Sequence, residues 1–202
     1  MKVLKIIGIV VLVIVVAIAI WVMTLSNESH LEREIVINAP VEKVYNVVND
    51  FGQTKEWSPW FKIDPNTKYS YSENLVGPGA WYEWQSDDSN VGNGRQDLLA
   101  SVEHQSVKTS MAFEGMTGEY TADFILEADG DNTKLTWTYD GKSDAMGEKI
   151  FMAFTDKFLG PSYEQGLADL KTYIEGLPDP EPVDEVMESD STMMESDSTV
   201  VE

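Results

Sequence analysis

The stretch Tyr120-Thr-Ala-Asp-Phe-Ile-Leu126, Asp129-Gly-Asp-Asn132, Lys134-Leu-Thr-Trp-Thr-Tyr139 decides the fold. Tyr120, Ala122, Phe124 and Leu126 share one parity. Leu135, Trp137 and Tyr139 do the same on the other side of the Gly130 cluster. A period of two marks a strand, because successive side chains point to opposite faces. Asp-Gly-Asp-Asn between two such runs is a hairpin signal, so an antiparallel pair is predicted here.

The same reading extends upstream. Ser106–Phe113 places Val107, Thr109, Met111 and Phe113 on one face. Arg95–Val102 follows Gly92-Asn93-Gly94, and Ala80–Trp84 follows Gly77-Pro78-Gly79, with Tyr82 and Trp84 opposed to Trp81 and Glu83. Tyr69–Tyr71 is a further short strand. Connections this brief favour antiparallel neighbours.

Glu32–Asn38 also alternates, with Leu31, Arg33, Ile35 and Ile37 on one face. Pro40 opens a helix to about Asn49, carried by Val41, Val44, Tyr45 and Val48 at helical spacing. Phe51–Trp57 reads as a second short helix, stopped by Ser58-Pro59. The last element is a long helix, in which Phe151, Phe154, Phe158, Tyr163, Leu167, Leu170 and Ile174 keep the three-to-four spacing. Gly160-Pro161 predicts a kink or a restarted helix, and Gly176 with Pro178 predicts the end.

The resulting class is α+β, a curved antiparallel sheet around a long C-terminal helix. A helix is about 10 Å wide, whereas strands add about 4.8 Å each. One helix against so wide a sheet is expected to leave an interior gap that a ligand could occupy. The predicted lining is Trp57, Tyr82, Trp84, Thr109, Met111, Phe113, Phe124, Trp137, Tyr139, Phe151, Phe154 and Phe158. In it, Tyr82, Thr109 and Tyr139 supply polar tips. The same rings could instead pack a solid core. Trp57-Ser58-Pro59-Trp60 could lid the mouth or seal the core's end.

The chain has 202 residues, 14 Lys+Arg, 35 Asp+Glu and a formal charge of −21. That balance opposes binding to a phosphate backbone, so no nucleic-acid partner is expected. Zero cysteines exclude disulfides, thiolate metal sites, a cysteine nucleophile and a lipidated cysteine anchor.

Three parts follow from composition. Residues 1–30 hold an uncharged apolar run, Ile6–Leu25, of 20 residues, enough for one hydrocarbon core as a helix. Lys2 and Lys5 precede it, and Trp21 sits near its outer end. The N-terminus is therefore expected in the cytoplasm, and the rest on the extracytoplasmic (periplasmic) side of the cell membrane, as a single-pass protein. A cleaved signal peptide is the alternative, disfavoured by the length of the run and the poor cleavage site at Met23-Thr-Leu-Ser26. Residues 31–177 form the folded domain. Residues 178–202 carry nine acids, no Lys or Arg, and a seven-residue repeat (Met187-Glu-Ser-Asp-Ser-Thr-Met193, then Met194-Glu-Ser-Asp-Ser-Thr-Val200); they read as a disordered tail.

The ordered set Ile35-x-Ile-Asn-Ala-Pro40-x-x-x-Val44, Trp57-Ser-Pro-Trp60, Gly79-Ala-x-Tyr-x-Trp84, Gly92-x-Gly94, Thr133-Lys-Leu-Thr-Trp137 and Gly166-Leu-x-x-Leu170 resembles the START-like, helix-grip superfamily SRPBCC, in its polyketide cyclase/dehydrase-like branch. The resemblance covers residues 31–177. It implies a deep apolar pocket between sheet and C-terminal helix, in a fold shared by lipid carriers, hormone receptors and cyclases. The acidic repeat tail and Gly160-Pro161 depart from it.

No catalytic set assembles. His30 and His104 lack partners at metal-ligand spacing, and no metal or cofactor is expected. Asp129-Gly-Asp-Asn132 lacks the calcium-loop pattern. Parity puts Glu83 on the outer face, and Arg95 is expected at the surface too. The leading expectation is a membrane-tethered carrier or sensor for a small hydrophobic, lipid-like molecule. The alternatives are an enzyme of the cyclase kind using the same pocket, and an envelope interaction module with a solid core.

Overall fold

The structure, a computed structural model, describes residues 2–178. The repeat-bearing tail lies outside the described residues, apart from Pro178. Helix α1 spans Lys2–Met23 and is long and apolar enough to cross a membrane, a description that a signal sequence also meets. The folded part then runs β1 (Glu28–Ile37), α2 (Val41–Val48), α3 (Thr54–Trp57) and a 3-10 turn over Pro59–Lys62. It continues through β2 (Lys68–Tyr71), β3 (Trp81–Gln85), β4 (Asn93–Val102), β5 (Ser106–Phe113), β6 (Glu119–Asp129) and β7 (Asn132–Lys142), and ends in α4 (Met146–Ala153) and α5 (Thr155–Gly176).

The seven strands form one antiparallel sheet in the order β1-β7-β6-β5-β4-β3-β2. The β6–β7 hairpin pairs Asp129 with Asn132, and Gly130 takes φ +62°, a left-handed turn position that suits glycine. A register shift at Leu98/Ala100 puts a bulge in β4, and bulges bend a strand and raise its twist. The first strand returns to pair with the last, Glu28 opposite Lys142 and Ile37 opposite Thr133.

The parity expectations hold along the inner face. Leu31, Ile37, Tyr82, Leu98, Val107, Thr109, Tyr120, Ala122, Phe124, Leu126, Leu135, Trp137 and Tyr139 are buried. They face Tyr163, Leu167, Leu170 and Ile174 of α5, all buried too. Val44, Val47 and Val48 of α2 close one end of this core.

The C-terminal helix breaks somewhere other than predicted. The interruption is at Phe154 (φ −123°, ψ 19°), between α4 and α5, and the helix runs on through Gly160-Pro161. At the break, the buried Thr155 hydroxyl donates to the Met152 carbonyl at 3.1 Å, a side-chain bond that competes with the helical ladder. Pro161 is exposed, so water can satisfy the carbonyl that its missing N–H leaves free. Gly160 has a packing role instead. A Cβ there would lie 2.8 Å from Arg33 Nη2, and Arg33 crosses α5 to hold Asp156 and, at 2.9 Å, Glu164.

Candidate functional site: the aromatic interior

Trp137 of β7 is the hub of the interior. It stacks on Tyr163 of α5 with ring centroids 4.1 Å apart and on Phe124 of β6 at 5.1 Å. Trp57 and Trp60 meet it edge-on at 5.6 and 5.7 Å. Trp57 comes from the single turn of α3, Trp60 from the 3-10 turn that follows. Ser58 between them is extended (φ −68°, ψ 127°), as a residue before proline must be. The Trp-Ser-Pro-Trp segment therefore lies over the space between sheet and α5, with both rings turned toward it.

The expected interior gap is occupied by these rings. Two concavities stand out among the described residues, and both open to solvent. One, about 380 Å³, is lined by Glu83, Trp84, Asn93, Arg95, Phe113 and neighbours, and the other, about 250 Å³, by Val22, Met23, Asp144, Met146 and Lys149. The width argument omitted α2, α3 and the 3-10 turn. These add a second layer over the part of the sheet that α5 leaves uncovered.

Of the predicted lining, Trp57, Tyr82, Phe124, Trp137 and Tyr139 are buried in one cluster, and Thr109 is buried as well. Trp84, Met111, Phe113 and Phe151 are half-buried against it. Phe154 and Phe158 are not inside: they are 41% and 53% exposed. The break at Phe154 turns this part of the stripe outward, so the continuous aromatic face expected of one long helix is corrected here.

Two of the three polar tips, Tyr82 and Thr109, are joined through Gln96. Tyr82 OH donates to Gln96 Oε1 at 2.6 Å, Gln96 Nε2 donates to Thr109 Oγ1 at 2.9 Å, and Thr109 Oγ1 donates to the Ala122 carbonyl at 2.5 Å. Gln96 was not among the expected residues, although β4 parity could have found it beside Leu98. Burial pushes the Tyr82, Tyr139 and Tyr163 hydroxyls above their ordinary range, so they stay protonated donors. The indole N–H groups of Trp57 and Trp137 are different. Both are buried, and neither has a hydrogen-bond partner.

Glu148, at the start of α4, also escaped the sequence reading. It accepts from Tyr120 OH at 2.5 Å and from the backbone N–H of Thr117 and Gly118 at 2.9 and 3.0 Å. Desolvation pushes its pKa up, but the donors outweigh it and hold the carboxyl at about 2. A carboxylate that stable is a weak base, so Glu148 clamps α4 to the β5–β6 turn rather than moving protons.

Glu83 and Arg95 lie on the outer face. Arg95 sits 2.9 Å from Glu83 and 2.7 Å from Asp97, over the Trp81 ring. His30 contacts Asp140 at 2.7 Å in the open, and His104 occupies the β4–β5 turn at φ +57°. Among the described residues, no group of three or more His, Asp or Glu is placed to hold a metal ion.

A family model described as "Polyketide cyclase / dehydrase and lipid transport" matches residues 28–175. No match was found among the curated proteins. Solved structures share the fold. Truncated norcoclaurine synthase from Thalictrum flavum is 10% identical with a TM-score of 0.58, covering 75% of this chain and 96% of its own. The same enzyme in complex with dopamine and hydroxybenzaldehyde gives 12% identity and a TM-score of 0.58, over 75% and 90% of the two chains. Protein CV1439 from Chromobacterium violaceum gives 19% and 0.52, over 76% and 99%.

Proposed function

Because the chain belongs to the polyketide cyclase/dehydrase and lipid transport family, we propose that it is a membrane-tethered carrier or sensor. In this reading it holds a small hydrophobic molecule between the sheet and α5. Helix α1 is the tether, and the domain after Leu25 stands on the extracytoplasmic side.

The observation that carries the reading is the pair of unpartnered indole donors, Trp57 Nε1 and Trp137 Nε1, inside the packed aromatic cluster, which a guest would enter by parting the rings. A buried donor left unpaired costs about 1–3 kcal/mol. A guest with an apolar body and one oxygen acceptor relieves that cost. Trp57 also belongs to the segment over the chamber, so the same ring can act as donor and door. Entry requires Trp57 and Trp60 to swing away from Trp137. The segment that carries them is one helical turn and one 3-10 turn, which few backbone bonds hold.

The inner face favours carriage over turnover. Its polar groups are tyrosines held protonated by burial, a glutamine and a threonine, and the Glu148 carboxylate that reaches Tyr120 is clamped by its donors.

Native mass spectrometry of the full chain, taken from membranes in mild detergent, tests the proposal. The expected result is an adduct lost on denaturation and reduced in Trp137→Ala and in the half-buried Trp84→Ala. An adduct unchanged in both variants would remove it from the chamber. A bare chain throughout would leave the interaction module as the surviving reading.

A further inference from the structure

Four apolar side chains on α4, at the break and at the start of α5 face outward. Met146 is 53% exposed and Ile150 39%, and beyond them stand Phe154 and Phe158. They form one patch. Phe151 and Phe158 stack at 5.8 Å across the helix break, and Phe154 meets Phe158 edge-on at 6.3 Å. Rings that large left open on a folded domain usually mark a contact surface.

The position of the patch identifies its occupant. The last turn of α1 lies against α4: Val22 is buried, and Val22, Met23, Met146 and Lys149 line one cleft. Only residues 24–27 separate α1 from β1. That short link is tied down at both ends. Thr24 N–H and Leu25 N–H donate to the Trp21 and Val22 carbonyls, Ser143 N–H donates to the Asn27 carbonyl, and Asn27 Nδ2 donates to Asp144 Oδ1. The outer end of α1 and the α4 patch therefore stand side by side, joined through Met23 and Met146 with Asp144 and Lys149 at the same cleft, and a bilayer that takes up α1 meets the patch next.

Charge agrees with a neutral surface. Residues 144–158 carry Asp144, Glu148 and Asp156 against Lys149 and Lys157, so neither strong repulsion nor strong attraction acts there.

We propose that Met146, Ile150, Phe154 and Phe158 dip into the lipid surface beside α1, fixing the domain on the membrane with the α4–α5 junction down. This inference rests on α1 being a membrane anchor. It adds an orientation: the β6–β7 turn, at the far end of the 11-residue β7, points away from the bilayer.

The chain has no cysteine, so single labels can be placed at will. Ile150→Cys, Phe158→Cys and Asp131→Cys, each carrying an environment-sensitive fluorophore, are to be reconstituted as full chains into phosphatidylcholine vesicles with and without nitroxide-labelled lipid. The expected result is blue-shifted emission at positions 150 and 158 that the lipid nitroxide quenches, unchanged in high salt, and neither effect at 131. A carbonate-resistant chain with water-like emission at 150 and 158 would overturn the docking and leave the anchor standing. Blue-shifted labels that lipid nitroxide does not quench would place protein on the patch, a second copy or another partner, and also overturn it. A chain stripped from vesicles by carbonate would remove the anchor and this inference together.

Discussion

Gly166 of α5 touches the face of Trp137: a Cβ at that position would stand 2.8 Å from Trp137 Cζ3 and 3.2 Å from Pro59 Cδ. Helix, sheet and the Trp-Ser-Pro-Trp segment meet at this one glycine. Gly166→Ala raises intrinsic helix propensity, yet it forces Trp137 off its stack with Tyr163. Overpacking of this kind costs about 1–3 kcal/mol, so the variant is expected to be destabilised despite the better helix former. A thermal melt followed by near-ultraviolet circular dichroism should show a loss of roughly 2–8 °C for a domain of this size.

The Tyr82–Gln96–Thr109 chain predicts an asymmetric pair of variants. Gln96→Ala leaves the buried Tyr82 hydroxyl without its acceptor and should cost about 1–3 kcal/mol. Tyr82→Phe in the same background removes the orphaned hydroxyl and should recover part of that loss. Denaturant midpoints of the single and double variants measure the coupling, and strict additivity would mean the chain is not a unit.

Glu148 makes the α4 clamp acid-sensitive. Its folded pKa, about 2, lies below the ordinary carboxyl value of 4.5, so its contribution is present above 4.5 and is lost as pH falls toward 2. Glu148→Gln should weaken the clamp at neutral pH by about 1.5–3 kcal/mol and flatten the stability profile between those two values. Hydrogen exchange at α4 amides, compared at pH 6 and pH 3, reads the effect locally.

His30 acts with the opposite sign. The hydrogen bond that the imidazole donates to Asp140 chiefly raises its pKa, with burial opposing it and Glu32 adding to it. Its stabilisation is full below the unfolded value of 6.5 and disappears as pH rises through the higher folded value. The site is open, so the effect is expected below about 1 kcal/mol. His30→Gln should abolish this component in melts taken from pH 5 to 9, with no change at the alkaline end.

The sheet and its inner face were legible because alternation is a local signal. Tyr120 to Leu126 and Leu135 to Tyr139 reveal their faces with no knowledge of what covers them. The break in the last helix was not legible, because it depends on whether Pro161 faces water and on where the Thr155 hydroxyl is buried. Phe154 and Phe158 misled for a related reason: an apolar stripe shows that a face avoids water, without saying whether protein or another apolar phase takes it. Glu148 was invisible because its donors stand about thirty residues away, at Thr117, Gly118 and Tyr120. Alternation alone left a gap and a solid core both open, because it says nothing of the second layer that α2, α3 and the Trp-Ser-Pro-Trp segment lay over the sheet.

The central claim is that the packed rings around Trp137 part to admit a guest. The chain contains six tryptophans, so 5-fluorotryptophan labelling of the full chain in nanodiscs gives six fluorine resonances, assignable by single Trp→Phe substitutions. On titration with a naphthalene-based hydrophobic probe, the resonances of Trp57, Trp60 and Trp137 should shift together and saturably, while that of the outer-face Trp81 stays in place. Shifts confined to Trp21, or none at all, would mean that the rings never part and would contradict the account.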